Sequence, residues 1–413
     1  MLGIRSLKGL DQRVWILCVG RVISATGFSI VMPFLAIHLV LDMGISMGVV
    51  GLLFLGMAVA GALGQIVGGE MADRLGRRPV MFASMGFRGL NFILLFLALV
   101  VFGDLWLIAG LLLVSSLLGS LFEPASNAMV ADIVGPGRRM EAYSLLRVGQ
   151  NIGWTLGPLI SGIMILFLPF SSLFLVAAFT SIAVAVVIFV KVADPTRSAG
   201  PRDKFHPRDL MNIWHNKLFL IFCLASLPLA IVLGQMSSTF SVFSVGDVGI
   251  AEAEVGYLYA LNGLMVVFLQ FPMARYISRF RMSYVLAAGA VMYAVGYLIV
   301  GFADGIWLLV VSMIVTTLGE NTISPSSMSM VAKMSPENER GRYMGAYGIF
   351  SSFGWSLGPA LGGLMYEGLH ANPVALWGGI ALIAMVSAIG FTYLGKVTTS
   401  SYDGVPEVIG AKG

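Results

Sequence analysis

Charge is scarce in this chain of 413 residues. Asp, Glu, Lys and Arg make up 11% of it, against about 25% in soluble globular domains. Too little polar surface is available to coat a soluble particle, in keeping with a mean hydropathy of +0.90. The same composition excludes a disordered chain and a collagen-like fibre. Cysteine is almost missing. Cys18 and Cys223 each lie inside an apolar run, so neither structural disulfides nor a Cys-based metal site is expected. Only four histidines occur, His38, His206, His215 and His370, none in the middle of an apolar run. There is no H-E-x-x-H, no metal-spaced His/Asp cluster, no nucleophile elbow and no phosphate-binding loop, which argues against an enzyme. A nucleotide-hydrolysing pump lacks the soluble domain it needs, and a membrane sensor would usually carry a larger cytoplasmic domain. No cofactor and no metal are expected. The formal charge of +4 is not a nucleic-acid signal; what matters is where the basic residues sit.

Long apolar runs are what the chain has in quantity. A membrane helix needs about 20 mostly apolar residues. Twelve runs meet that length: Val14–Val40, Gly48–Gly69, Val80–Val101, Trp106–Val130, Tyr143–Leu166, Leu173–Val190, Leu218–Phe243, Val255–Met273, Tyr284–Phe302, Trp307–Val331, Tyr343–Met365 and Pro373–Leu394. The first is too long for the apolar region of a signal peptide and no A-x-A-type site follows it closely. The expected fold is therefore an all-α membrane protein of twelve transmembrane helices.

Basic residues alternate between the connections. Arg5, Lys8 and Arg13 precede run 1. Arg74, Arg77 and Arg78 follow run 2, and Arg138 and Arg139 follow run 4. Arg275, Arg279 and Arg281 follow run 8, and Lys333, Arg340 and Arg342 follow run 10. The connections after runs 1, 3, 5, 7, 9 and 11 hold no Lys or Arg, and the charges they carry are acidic: Asp42, Asp104, Asp247, Glu252, Glu254, Asp304 and Glu367. By the positive-inside rule both termini are cytoplasmic and the protein is multi-pass in the cell membrane, plasma or inner.

A polar, Pro-containing stretch divides the chain into 1–192, a cytoplasmic linker 193–216 with a surface-lying segment expected near Leu210–Trp214, a second half 217–398, and a tail 399–413. The halves are similar to each other. Trp106 and Trp307 are 201 positions apart, and the same offset pairs Pro124 with Pro325, Arg139 with Arg340, and Gly153–Pro158 with Gly354–Pro359. Repeats with the substrate site between them are a transporter architecture.

The connection after run 2 reads Gly69-x-x-x-Asp73-Arg74-x-Gly76-Arg77-Arg78. This matches, position for position, the G-x-x-x-D-R-x-G-R-R signature of the major facilitator superfamily, which the chain resembles over nearly its whole length. The resemblance implies two pseudo-symmetric six-helix bundles and a cavity lined by helices 1, 4, 7 and 10. It implies that Asp73 caps helix 11 and that Arg77 reaches an acid at the cytoplasmic end of helix 4, for which Asp132 is the candidate. Run 5 carries Gly149, Gly153, Gly157 and Pro158, with Ser161 and Gly162 following; run 11 carries Gly354, Gly358 and Pro359, with Gly362 and Gly363. Both resemble the superfamily's G-x-x-x-G-P-x-x-G-G antiporter motif, which implies exchange of substrate for protons. Glycines four apart also serve close helix packing alone. One departure is clear: where the family's helix-4 motif has an embedded Arg, this chain has Ser115, so a proton mechanism relying on that Arg does not carry over.

Ionisable residues inside apolar runs point to function. Glu320 stands near the middle of run 10, with Thr317, Asn321 and Ser324 on its helical face. A carboxyl there suits a group that takes up and gives up a proton. Arg21 and Glu123 each lie seven residues from the cytoplasmic end of their runs, about 10 Å deep. Ser116, Ser120, Glu123 and Asn127 form one polar stripe. An Arg21–Glu123 pair across the cavity is one reading. The other lets Arg21 snorkel to the interface and gives Glu123 a structural bond near Pro124. Arg88 and Arg147 are expected to snorkel. Phe28, Met32, Asn127, Gln235 and Asn321 are candidate cavity residues, with 24 Met and 26 Phe suiting an adaptable apolar pocket. The expected function is proton-coupled export of small lipophilic molecules, of the multidrug type, by alternating access. The expected partners are a small-molecule substrate, protons and the lipid bilayer, with no nucleic acid; a monomer is expected. A sugar or metabolite permease, symporter or uniporter, is the alternative.

Overall fold

The computed structural model describes residues 10–135, 138–194, 216–336 and 339–398. Among these there is no strand. In chain order the helices are α1 (Gln12–Ile37), α2 (Met47–Leu75), α3 (Arg77–Leu97), α4 (Leu105–Ile133), α5 (Arg139–Ile165), α6 (Ser172–Lys191), α7 (Lys217–Gly234), α8 (Thr239–Gly246), α9 (Glu252–Ile277), α10 (Met282–Val300), α11 (Ile306–Met334), α12 (Arg340–Leu369) and α13 (Pro373–Val397). The ends of α1 and α3 run on into single π-turns, His38–Asp42 and Ala98–Phe102. The segment Leu210–Trp214 lies outside the described residues, as do most of the linker and the tail.

Short polar side chains start several of these helices by satisfying backbone N–H groups that have no partner within the helix. Asp104 accepts from the Leu107 amide at 2.7 Å, and Asn216 and Asn372 do the same for Phe219 and Ala375. Asp11 caps α1, and the Arg13 guanidinium beside it holds its carboxyl below the usual range. Gly76, at φ 107°, makes the turn from α2 into α3 that a side chain would oppose.

Among the described residues, ten helical segments are long and apolar enough to cross a membrane. The other two expected runs, 143–166 and 343–365, are also helical, within α5 and α12, but carry more Gly and polar residues. Large apolar side chains point away from the protein, such as Phe179 at 73% exposure and Phe268 at 70%. That pattern suits lipid rather than water.

The expectation of one unbroken run 7 is corrected. It is two helices, α7 and α8, joined by a 3₁₀ turn at Gln235–Ser237. Ser238, at φ −142° and ψ −80°, leaves the helical conformation. Nearby hydroxyls and an amide satisfy backbone at the break, as apolar surroundings require. Ser241 Oγ and the Tyr259 hydroxyl both donate to the Met236 carbonyl. Gln235 Nε2 donates to the Ile231 carbonyl at 3.2 Å.

The chain forms two compact units, Met1–His38 with Leu53–Pro201, and Leu39–Leu52 with Arg202–Gly413. The first packs α1 on α5 and α6, and α3 on α4 and α6; the second packs α7 on α12 and α13, and α10 on α11 and α13. Each unit thus repeats one set of helix pairs. The repeat reaches the helix boundaries: α4 and α11, and α5 and α12, begin 201 positions apart.

The glycine ladders make the closest of these pairings. A Cβ on Gly153 would fall 2.5 Å from Ala25 Cβ and 2.6 Å from the Val22 carbonyl; one on Gly149 would fall 2.9 Å from the Cys18 carbonyl. Gly157 meets Ser29 and Ile30 of the same helix. In the second unit a Cβ on Gly354 would fall 2.7 Å from Ala230 Cβ, and one on Gly358 2.6 Å from the Ile231 carbonyl. Pro158 and Pro359 sit inside continuous helices.

Candidate functional site

Two clusters of polar groups lie within the spans, one in each unit. In the first unit, Arg21 reaches from α1 to α4. Its guanidinium is 3.2 Å from the Glu123 carboxylate and donates to Asn127 Oδ1 at 3.1 Å. It also lies over the Phe122 ring at 5.9 Å. Arg21 is 7% exposed, so it does not snorkel. The seven-residue spacing of Glu123 and the four-residue spacing of Asn127 within the α4 stripe put both groups within reach of one cation.

Arg21, Phe122 and Glu123 line a cavity of about 210 Å³ inside the first unit, and Asn127 is not part of that lining. Phe28 of α1, Ser116 and Ser120 of α4, and Gln150 and Trp154 of α5 complete much of its wall. Phe28 and Trp154 meet edge to face, with ring centres 5.7 Å apart. Met32 is buried and is not part of this lining. Ser116 is turned outward from the cavity in one respect: its hydroxyl donates to the Met57 carbonyl at 2.5 Å.

Arg88, on α3, departs from expectation. It is 5% exposed and lines the same cavity. Its guanidinium stands 5.1 Å from the Phe28 ring and 5.2 Å from the Phe92 ring. It lies flat against Gly119, where a Cβ would fall 2.5 Å from Cζ. Snorkelling is therefore corrected: the missing side chain at Gly119 and two aromatic faces draw the cation inward. Arg147 is exposed.

In the second unit, Asn262 of α9 donates to Glu320 Oε2 of α11 at 2.9 Å and is 3.0 Å from Thr317 Oγ1. Glu320 is half-buried. The Thr317 hydroxyl in turn donates to the Met313 carbonyl at 2.6 Å. Glu320 is thus held by a neutral amide. Asn321 is buried, and neither its Nδ2 nor its Oδ1 has a hydrogen-bond partner. Gln235 is not a cavity wall. It is 1% exposed, its Nε2 donates to the Gly358 carbonyl at 2.8 Å, and its Oε1 accepts from Thr239. Those bonds tie the α7–α8 break to the glycine ladder of α12.

The motif at the end of α2 and the start of α3 forms a chain of ion pairs on the first unit. Arg77 is buried, 2.6 Å from Asp73 and 3.2 Å from Asp132. The expected bond between Arg77 and an acid at the end of the fourth span is therefore present. Arg74 pairs with Glu70. The Arg78 amide donates to Asp194 Oδ1 at 2.9 Å, and its guanidinium lies 5.0 Å from the Phe189 ring. Gly69 and Gly76 flank this group. Among the described residues no cluster of three or more His, Cys, Asp and Glu side chains is placed to hold a metal ion.

Sequence reading missed Asn262 and the inward turn of Arg88. Asn262 had a faint signal, as the one amide side chain in the middle of the eighth run. Arg88 had only the Phe92 ring one turn along its own helix, because Gly119 and Phe28 come to it from other helices.

The profile described as Major Facilitator Superfamily matches residues 17–246 and 229–407. Among curated proteins, the chain is 27% identical over 355 residues to the multidrug resistance protein MdtH of Proteus mirabilis, covering 86% of each. It is 24% identical over 426 residues to a Na(+), Li(+), K(+)/H(+) antiporter of Planococcus maritimus, covering 94% of this chain and 96% of that one. Among solved structures, the nucleoside transporter NupG superposes with a TM-score of 0.76 at 15% identity, over 93% of this chain and 99% of that one. At that identity the likeness concerns the fold.

Proposed function

The chain belongs to the major facilitator superfamily, and on that premise we propose that it exports small lipophilic molecules in exchange for protons, by alternating access. In this reading all twelve runs cross the cell membrane, both termini are cytoplasmic, and the protein works as a monomer. The observation that carries the coupling is Glu320. It sits midway along an apolar span and bonds the neutral Asn262 amide. A carboxyl with a neutral partner gains and loses a proton without stranding a buried countercharge. Arg21–Glu123 is an ion pair within the spans of the first unit, and Glu123 is the second carboxyl in this reading of the coupling. A coupled proton biases the two transport states only through its differential affinity for them.

Export, rather than uptake, is supported by the glycine ladders of the antiporter type and by similarity to two relatives, a multidrug resistance protein and an ion/proton antiporter. The test is proton movement in energised inside-out vesicles on addition of lipophilic compounds. A discharge of the pH gradient in wild type supports proton-linked export. Discharge only in the presence of sodium would replace the proton by sodium. Uptake of a sugar or metabolite, with no proton flux on addition of the lipophilic compounds, would replace export by a permease.

A further inference from the structure

The cavity of the first unit holds two arginines and one carboxylate. Arg21 is committed to Glu123 and Asn127. Arg88 is not committed. Among the described residues no oxygen bonds its guanidinium, and its buried Nε lacks a partner. An arginine keeps its charge in proteins. A desolvated cation of this kind costs stability unless something offsets it, and two ring faces do so only in part. The guanidinium is a planar fork that matches a carboxylate through two parallel hydrogen bonds. Its neighbours in the wall are aromatic: Phe28 against the cation, and Trp154 edge-on to Phe28. The volume of about 210 Å³ is below the roughly 300–1,000 Å³ of drug-sized sites, so the ligand, or the part held here, is small.

We propose that this cavity binds the carboxylate of a small aromatic acid on Arg88, with the ring against Phe28 and Trp154. The proposal rests on the export reading for its biological sense and gives the substrate a charge: a lipophilic anion rather than a lipophilic cation. Arg88 is the residue that selects it, and Gly119 is the residue that makes room for the guanidinium.

The experiment uses the full chain purified in detergent and isothermal titration with 2-naphthoate, 2-naphthamide and 2-naphthylmethylammonium. These share one ring system and differ in charge. Wild type is expected to bind naphthoate at least tenfold more tightly than the amide, with the ammonium weakest. Arg88→Gln is expected to bring naphthoate down to the level of the amide, and Arg88→Lys to leave an intermediate preference. Gly119→Ala, whose Cβ would displace the guanidinium, is expected to weaken naphthoate more than the amide. Equal affinities for carboxylate and amide in wild type overturn the proposal, and that comparison stands even where Arg88→Gln does not fold. Naphthoate affinity unchanged in a folded Arg88→Gln overturns it as well. Binding is read without a pH gradient. A protein that prefers naphthoate but moves no proton keeps the site and loses the export reading. One that exports neutral or cationic compounds without preferring the carboxylate keeps export and loses the site.

Discussion

Arg21 and Arg88 line one cavity and have different partners. Arg21 is neutralised by Glu123 at 3.2 Å, while Arg88 rests on rings. Removing one member of a buried pair strands the other and costs about 3–5 kcal/mol, whereas exposed pairs contribute about 0–1 kcal/mol. Glu123 has a side chain 41% exposed against 9% for Arg21, which places this pair between those limits. Arg21→Glu and Glu123→Arg alone are each expected to cost about 1–3 kcal/mol. The double exchange should restore most of the loss. Thermal unfolding in detergent measures this, and a double variant no better than the worse single one would show that the pair does not act as a unit. The pair is one of two readings of the sequence: equal depth and helical spacing allow two charges to meet, but only the burial of Arg21 decides against snorkelling. Arg88 was not legible, since its position depends on Gly119 offering no side chain, a fact about a neighbouring helix. Asn262 likewise acquires meaning only once α9 is seen against α11.

Helices in each unit meet through glycine, and the contact distances rank the glycines. Overfilling a packed contact typically costs about 1–3 kcal/mol. Gly153→Ala and Gly358→Ala place Cβ 2.5–2.6 Å from fixed atoms of the facing helix and are expected to cost in that range. Gly149→Ala, at 2.9 Å from its nearest neighbour, should cost less. Gly345, in the same helix as Gly358 with nothing within 4 Å, serves as control. Its change to alanine should be neutral or stabilise by up to about 1 kcal/mol through helix propensity. Melting temperatures of the four variants check the order; equal loss at Gly345 and Gly358 would refute packing as the cause. The ladder itself could be read from spacing. The break between α7 and α8 could not, because an apolar run with Gln235, Ser237, Ser238 and Thr239 at its outer end reads as one span. Only the bonds from Gln235 to α12 and from Tyr259 to Met236 reveal why the backbone leaves the helix there.

At the scale of the whole molecule, the duplicated sequence yields two units with the same helix pairs, and the family signature lies in an ion-pair chain around Arg77. The proposed orientation in the bilayer rests on the alternating basic loops. Cys18 and Cys223 are buried, so single cysteines introduced in loops report on topology with little background. Asp304→Cys is expected to react with an impermeant maleimide added outside intact cells, and Arg279→Cys only after permeabilisation. The reverse pattern would invert the protein and turn the proposed export into uptake. What was legible at this scale came from repetition and charge, which survive without knowledge of contacts. Substrate class was not, because it depends on which side chains one cavity gathers.

The most direct measurement compares wild type with Glu320→Gln in proteoliposomes, following both gradient-driven transport and substrate exchange at equal pH. If Glu320 carries the coupled proton, the glutamine variant loses gradient-driven accumulation by an order of magnitude or more and retains exchange, since its amide keeps a polar group facing Asn262. Gradient-driven transport that survives in Glu320→Gln at the wild-type rate would contradict the role of Glu320 and leave Glu123 as the group to test.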